Sequence, residues 1–339
     1  MTIAFLYNLR HMYPDPKDPR SQLETDFDDQ KTIDSIALHL RKLGHTIIMI
    51  EANEEAYLTL YKRRKSIDLV FNYSMGLYGN QKYGHLPAML EMLRLPFTGP
   101  DSLTEALVLN KSRMKDVLRA HNVPTLPSQL FYQGTEKLDP KLTFPLIVKP
   151  VAQGSSAGIT SKSVVTNKAQ LEKQTTQIIK TFGAPALVEP FLKWREFSVP
   201  LIGNPPQVLP IVEPEYARLP KGYLPLDTLE VKWIYEEASP GSHHLVCPAN
   251  VSLKLKKNIE QVCLNTWNAL QLKDFCRIDL RTNAKDDLFV LDVNSPPGIM
   301  PPESSVTSYL PMSARAAGLS YEKLLAKILS SAMKRYGLQ

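Results

Sequence analysis

The residues best suited to chemistry lie in two short segments near the C-terminal end. They are Cys276-Arg277-Ile278-Asp279-Leu280 and Leu291-Asp292-Val293-Asn294-Ser295-Pro296-Pro297-Gly298. Their alternation of apolar and polar residues predicts two strands joined by a polar turn at 282–287. Side chains two apart on a strand share a face, so Arg277 points with Asp279 and Asp292 points with Asn294. Paired as a hairpin, the strands gather two carboxylates, an amide oxygen and a guanidinium. Hard oxygen ligands beside a cation suit Mg²⁺ carried on a polyphosphate. A solvated hairpin face with an ordinary ion pair is the competing expectation from these residues alone.

Upstream, Ile147-Val148-Lys149-Pro150 delivers a lysine at a strand end, and Gly154-Ser155-Ser156-Ala157-Gly158 follows. Small residues let backbone N–H groups approach phosphate closely. The lysine precedes the glycines and no Gly-Lys-Ser/Thr follows, so this is not a Walker A loop. A plain hairpin turn suits these residues equally. In Leu187-Val188-Glu189-Pro190-Phe191-Leu192-Lys193-Trp194-Arg195-Glu196, an extended stretch bracketed by acids reads as an adenine and ribose contact or as an edge strand. Lys111 opens a helix, where a cation gains nothing from the dipole. It either meets another partner or is simply solvated.

Positioning these residues takes a large framework. At 339 residues and 43% hydrophobic, the chain has room for two or three compact units. No apolar run approaches the roughly 20 residues of a membrane span, and 1–7 reads as a strand without a basic leader. Three scattered cysteines favour a reducing compartment, so a cytoplasmic location is expected. The net charge of +6 is spread without a basic tract or an aromatic–basic module, so neither nucleic acid nor membrane is an expected partner.

Strands at 3–7, 46–50 and 69–72 alternate with helices, which predicts a parallel sheet with right-handed crossovers. Asp28 is the expected cap of a helix with the apolar stripe Ile33, Ile36, Ala37, Leu40, Leu43, stopped at Gly44. Ligands of such sheets lie beyond the strands' carboxyl ends, here the loops 8–26 and 73–83. A helix is expected over 103–125, then strands at 129–132 and 146–149, a helix at 168–182 and a strand at 186–189. Strands at 195–202, 207–212 and 230–233, a helix at 251–270, the hairpin and a helix at 321–336 complete the pattern. The boundaries divide it into 1–102, 103–190 and 191–339.

In this order the segments resemble the ATP-grasp superfamily and, within it, the D-alanine–D-alanine ligases. Leu95-Pro96-Phe97-Thr98-Gly99-Pro100, Asn110-Lys111-Ser112, Val246-Cys247-Pro248-Ala249 and Leu310-Pro311-Met312-Ser313-Ala314-Arg315 join the segments above as its landmarks. The resemblance implies an α/β and α+β ATP-grasp fold: a parallel N-terminal domain and two α+β lobes clasping ATP. It implies an ATP-dependent carboxylate–amine ligase working through an acyl phosphate on small amino-acid or carboxylate substrates, with a homodimer as an allowed assembly. Lys111 and Lys149 would hold ATP phosphates under a loop that includes Ser155 and Ser156. Glu189 and the Leu192 backbone would meet adenine, Glu196 the ribose, and Lys232 the γ-phosphate. Asp279, Asp292 and Asn294 would bind two Mg²⁺ ions, with Mn²⁺ a substitute. Arg277 and the Gly298 N–H would stabilise the oxyanion, with Ser155 beside them. Ser308 and Tyr309 would grip the second substrate's carboxylate. The lid is expected over 233–244, with His243 and His244 solvated.

Departures from the family fall on the substrate side. Met75 stands where the family has histidine, Lys82-Tyr83 replaces an acidic pair, and Trp233 replaces tyrosine. The glutamate that meets the first substrate's ammonium has no clear match; Glu24 and Asp26 are candidates in the proline-rich insertion 8–26, though such acids also serve as helix caps. Two other readings follow: a natural-product ligase of the mycosporine-attaching kind with a substrate other than D-alanine, and an ATP-binding regulatory module without catalysis.

Overall fold

The computed structural model describes residues 1–15, 18–235, 244–304 and 308–338. It opens with β1 (Thr2–Tyr7), α1 (Gln30–Lys42), β2 (Thr46–Glu51), α2 (Ala56–Arg63) and β3 (Leu69–Tyr73). The three strands form a parallel sheet in the order β2-β1-β3. Both faces of β1 are buried, as expected where crossover helices cover a parallel sheet. Ile33, Ile36, Ala37 and Leu40 of α1 are fully buried on it. The cap of α1 is Asp29, whose carboxylate accepts from the Thr32 N–H at 2.7 Å, and not Asp28 as the sequence suggested. Asp28 is unavailable because its backbone is paired with the insertion, accepting from the Arg10 N–H at 2.9 Å, while its side chain is buried.

Next come α3 (His85–Met92), α4 (Ser102–Leu109) and α5 (Lys111–Ala120). The single helix expected over 103–125 is broken at Asn110, whose ψ of 91° leaves the helical region. The Asn110 side chain accepts from the Arg113 N–H and so caps α5. The Lys111 N–H, an orphan donor at this new helix start, donates to the Val151 carbonyl at 2.9 Å. The break thereby aims Lys111 at the end of the lysine-bearing strand.

A four-stranded antiparallel sheet follows, built from β4 (Gln129–Phe131), β5 (Leu146–Pro150), β6 (Val164–Val165), α6 (Lys168–Phe182) and β7 (Ala186–Pro190), in the order β4-β7-β5-β6. The remainder contains β8 (Glu196–Ile202), β9 (Gln207–Val208), β10 (Glu213–Pro214), β11 (Leu245–Val246), α7 (Leu253–Leu270), β12 (Phe275–Thr282) and β13 (Leu288–Asn294). Its main sheet runs β13-β12-β8-β9. The strand expected at 207–212 shortens to Gln207–Val208 with one further bridge, Val212 to Ser198; Pro210 lacks the N–H a continuous ladder needs. The strand expected at 230–233 is instead a π-helical turn, Val231–Tyr235. Thr228 starts it, its hydroxyl accepting from the Val231 N–H and its carbonyl from the Lys232 N–H. Such turns recur at functional sites.

Two last helices are α8 (Tyr309–Ala316) and α9 (Tyr321–Arg335). Prolines hid α8 in the sequence, but Pro311 falls in its first turn, where its missing N–H costs nothing. Both helices return to the first sheet: Leu310, Leu324 and Ile328 share a core with Ile3, Phe5 and Phe71. Helices α4, α5 and α7 pack instead beneath the main C-terminal sheet, through Val108, Leu118, Ile259 and Ile278. The main C-terminal sheet thus shares one core with the parallel sheet, through Phe275, and another with α4, α5 and α7.

Candidate active site

The hairpin forms in the register that the alternation implied, with Arg277 opposite Asn294 and Asp279 opposite Asp292. Asp279 anchors the cluster. Its Oδ1 accepts from the Ser198 hydroxyl at 2.7 Å and from Arg277 Nε at 2.9 Å. Its Oδ2 accepts from Arg277 Nη2 at 2.9 Å and from the Asn294 amide at 2.8 Å. Burial opposes the charge on Arg277, yet Asp279 more than compensates and raises its pKa. The guanidinium also sits over the Tyr309 ring, 4.9 Å from its centre. Asp292 is paired across the cleft with Lys111 Nζ at 3.0 Å, and that ammonium donates to the Gln153 carbonyl at 2.7 Å. This is a half-buried, mutually oriented network and not a solvated face.

A second cluster lies deeper. Glu189 is buried, with Lys149 at 2.5 Å and Lys115 at 3.0 Å. Burial alone would raise the pKa of Glu189, but the two lysines hold it down at about 2. Burial lowers that of Lys115, against the pull of Glu189. Glu189, which the resemblance set against adenine, lines the nucleotide cavity and is paired there with two lysines. Lys115 also donates to the Thr125 hydroxyl at 2.9 Å. Sequence reasoning missed it, although a lysine between Met114 and Leu118 on the buried stripe of α5 was a signal. Arg281 was missed too, although it continues the alternation 277, 279, 281. It pairs with Glu196 at 2.7 Å and donates to the Leu192 carbonyl at 2.5 Å. Burial nevertheless raises the pKa of Glu196.

The Gly/Ser loop closes this cluster. Ser155 and Ser156 take left-handed φ values of 47° and 62°, uncommon for residues with a Cβ. The Ser156 hydroxyl donates to the Asp227 carbonyl at 2.7 Å, and the Ser155 carbonyl accepts from the Trp233 indole at 3.4 Å. Lys232, on the π-helical turn, lies 3.9 Å from Asp227. A Cβ on Gly154 would come within 2.4 Å of an Asp26 oxygen and 2.7 Å of the Tyr83 hydroxyl, so a larger residue there would have to displace those side chains. Gly298 is similarly crowded by Ser308, whose hydroxyl accepts from the Met300 N–H at 3.0 Å. The Tyr309 hydroxyl reaches Asp227 at 3.4 Å. Within the expected lid, Ser239, Pro240, Gly241 and His243 lie outside the described residues, and His244 is buried rather than solvated.

These elements enclose two cavities. One, about 810 Å³ including its open mouth, runs between the sheets past Lys149, Leu192 and Glu196. The other, about 960 Å³ on the same measure, lies beyond the carboxyl ends of the parallel strands among Asp28, Tyr73, Met75, Gly298, Ser308 and Tyr309. Lys111, Ser155, Lys232, Arg277, Asp292 and Asn294 line both. The candidate acids separate here. Glu24 holds the His11 and Met12 N–H groups at 2.6 and 2.8 Å, a loop clip. Asp26 faces the second cavity but is paired with the buried Lys82 at 3.4 Å. Asp28 faces it too, and burial pushes its carboxyl up to about 6.

Among the described residues no group of three His, Cys, Asp or Glu side chains is gathered for a metal. Asp279, Asp292 and the Asn294 oxygen, left over when its NH₂ donates to Asp279, make a hard-oxygen set that suits Mg²⁺ only when phosphate and water complete it.

A family model described as the D-ala D-ala ligase C-terminus matches residues 113–330. An uncharacterized protein of Sinorhizobium fredii is 33% identical over 331 residues, covering 96% of this chain and 92% of its own. The D-alanine–D-alanine ligase of Aquifex aeolicus is 28% identical over 305 residues, covering 88% and 94%. A solved D-alanine–D-alanine ligase of Bacillus anthracis, complexed with ATP, shares the fold at a TM-score of 0.72 and 22% identity over 98% of both chains. Among the described residues no helix is long and apolar enough to cross a membrane. The chain belongs to the D-alanine–D-alanine ligase family.

Proposed function

We propose that the protein is an ATP-dependent carboxylate–amine ligase that forms an amide bond through an acyl phosphate. One observation carries this reading: two cavities meet at a shared wall of Lys111, Lys232, Arg277, Asp292 and Asn294. A nucleotide in one cavity would present its γ-phosphate to a carboxylate in the other. The carboxylate oxygen takes the phosphoryl group and ADP leaves. An amine, having lost a proton, then attacks the acyl carbon and phosphate leaves. Phosphorylation is needed because a bare carboxylate has no good leaving group.

Each residue takes a task in that scheme. Lys111, Lys149 and Lys232 attract the phosphates, with Ser155 and Ser156 covering them; the buried Lys115–Glu189–Lys149 cluster, with two lysines to one carboxylate, favours an anion at its mouth. Leu192 and Glu196 line the nucleotide cavity. Asp279, Asp292 and Asn294 would hold two Mg²⁺ ions, arriving with the nucleotide because the protein supplies too few ligands alone. The metal would neutralise charge on the transferring phosphoryl group. Arg277 and the Gly298 N–H would face the tetrahedral oxyanion, and Ser308 with Tyr309 the second substrate's carboxylate. The three-unit division at 102 and 190, a cytoplasmic location, a homodimer, and independence from nucleic acid and membrane belong to the same proposal.

Phosphate release from ATP and Mg²⁺, measured over a panel of D- and L-amino acids and dipeptides, tests it. Amino-acid-dependent phosphate with an amide product is expected. ATP binding without turnover over the whole panel would overturn it in favour of a regulatory module. A second reading, a substrate other than D-alanine, is favoured by Met75, an apolar thioether lining the amino-acid cavity where the family places histidine. Robust turnover confined to D-alanine would remove it.

A further inference from the structure

The insertion 8–26 does more than wall the amino-acid cavity. Arg10 packs into the corner formed by two rings, its guanidinium carbon 4.8 Å from the centre of Tyr13 and 4.7 Å from that of Trp233. Those rings meet edge-on at 6.0 Å and 84°. The Arg10 side chain is only 7% exposed, its Nη1 has no hydrogen-bond partner, and its ion pair with Asp29 is stretched to 3.9 Å. A guanidinium so buried and so poorly hydrogen-bonded is held chiefly by the aromatic faces.

What it holds matters for the reaction. Trp233 follows Lys232 on the π-helical turn, and its indole N–H reaches the Ser155 carbonyl. The same insertion grips the other end of the Gly/Ser loop, where the Gln22 side-chain carbonyl accepts from the Gly158 N–H at 2.9 Å. Asp26 lies against Gly154 at the loop's start. One sequence-distant segment therefore touches both ends of the phosphate-covering loop and the turn that carries Lys232.

We propose that Arg10 is a positioning residue: packed against both Tyr13 and Trp233 where the two rings meet, it ties them into a clamp that fixes the π-helical turn and the Gly/Ser loop over the reacting groups, so that the acyl phosphate meets the amine and not water. This rests on the ligase reading. Without the clamp, water attacks the acyl carbon, the carboxylate is regenerated and phosphate leaves, so ATP is consumed with no amide formed. Shielding an intermediate in this way is an established use of mobile cover elements.

The test is the ratio of phosphate released to amide formed, with ATP, Mg²⁺ and the amino acid that gives the highest turnover in the panel above. The wild type should stay near parity. Arg10→Ala should raise the ratio several-fold while total phosphate release changes little. Arg10→Lys should behave like Arg10→Ala, because lysine keeps the charge but not the planar stacking group, whereas a role of charge alone would be rescued. Tyr13→Ala, at a 58% exposed position that folding tolerates, should shift the ratio in the same direction by less, and it decides the matter if Arg10→Ala fails to fold. Acrylamide quenching of tryptophan emission needs no substrate. In a Trp194→Phe background, which removes a 47% exposed indole, quenching should rise when Arg10 or Tyr13 is replaced. Unchanged quenching in variants that fold, or parity retained in every variant, would overturn the clamp. A wild type inactive over the whole panel would instead sink the ligase reading, and quenching would still judge the clamp.

Discussion

The two cavities that share the Arg277 wall are built on different principles. On the nucleotide side nearly every charge is matched at short range: Glu189 by two lysines, Glu196 by Arg281, Asp279 by Arg277. Most of these residues come from paired strands, where backbone register brings them together, and Lys115 is added by the packing of α5. On the amino-acid side much of the wall comes from connecting segments, through Thr25, Asp26, Met75, Gly298 and Met300, and it contains Asp28, a carboxyl that burial pushes up to about 6. Phosphate chemistry tolerates few arrangements and is placed mainly on strands and helices; substrate choice is placed largely on connecting segments, one of which also braces the Gly/Ser loop.

The sharpest way to break that contrast is at the shared wall. Arg277→Ala should lower turnover by about 10²–10³-fold, the loss typical of one oxyanion donor. Nucleotide affinity, measured by calorimetry, should change far less, because Lys111 and Lys149 remain. Equal losses in both would mean that the wall belongs to the nucleotide cavity alone.

Glu189→Gln addresses the buried pairing. Removing one partner of a buried ion cluster costs about 3–5 kcal/mol, and here two lysines lose theirs. The folded pKa of Glu189 is about 2, below its ordinary 4.5. Its contribution is therefore complete above pH 4.5 and is lost as pH falls toward 2. Urea unfolding should show the wild type losing more stability than Glu189→Gln across that window. Parallel curves would show that the lysines are satisfied elsewhere.

Legibility followed the same division. Strand alternation placed Arg277, Asp279, Asp292 and Asn294 on one face, and the register agrees for these four, the shift in pairing falling just beyond Asp279. The parallel sheet and its crossover helices were equally plain. What escaped were features set by tertiary partners. Asn110 breaks a helix because Lys111 finds a carbonyl on another element. Glu189 turns to Lys115, a residue whose burial depends on how α5 packs. The turn at Val231–Tyr235 replaces a strand because Thr228 organises it locally and Trp233 is stacked on Arg10 from the far end of the chain. No local pattern encodes a contact across more than two hundred residues.

On the amino-acid side, Met75→Ala should raise the amino-acid KM by about 10-fold while leaving the ATP KM alone, since removing apolar pocket surface is worth that order of discrimination. A matched rise in both would mean that this cavity is not separable from the nucleotide's. Steady-state kinetics with each substrate varied in turn resolves the two.

Asp28→Asn has the smallest effect and the most informative sign. The folded pKa of Asp28 is about 6, above its ordinary 3.8, because burial disfavours the charged form more than Tyr73 and Arg10 assist it. Such an acid stabilises the fold fully below pH 3.8, and that stability drains away as pH rises through 6. The asparagine variant carries no charge to bury. It should match the wild type near pH 3.5 and exceed it at pH 8, by on the order of 1–3 kcal/mol in urea unfolding. Replacing Asp28 thus strengthens the fold where replacing Glu189 weakens it. An acid kept at a cost to stability and facing the amino-acid cavity is suited to a substrate ammonium. Amino-acid affinity should then rise as pH passes 6 in the wild type and stay flat in Asp28→Asn. A stabilised variant with unaltered affinity would make Asp28 a neutral partner of Tyr73 and nothing more.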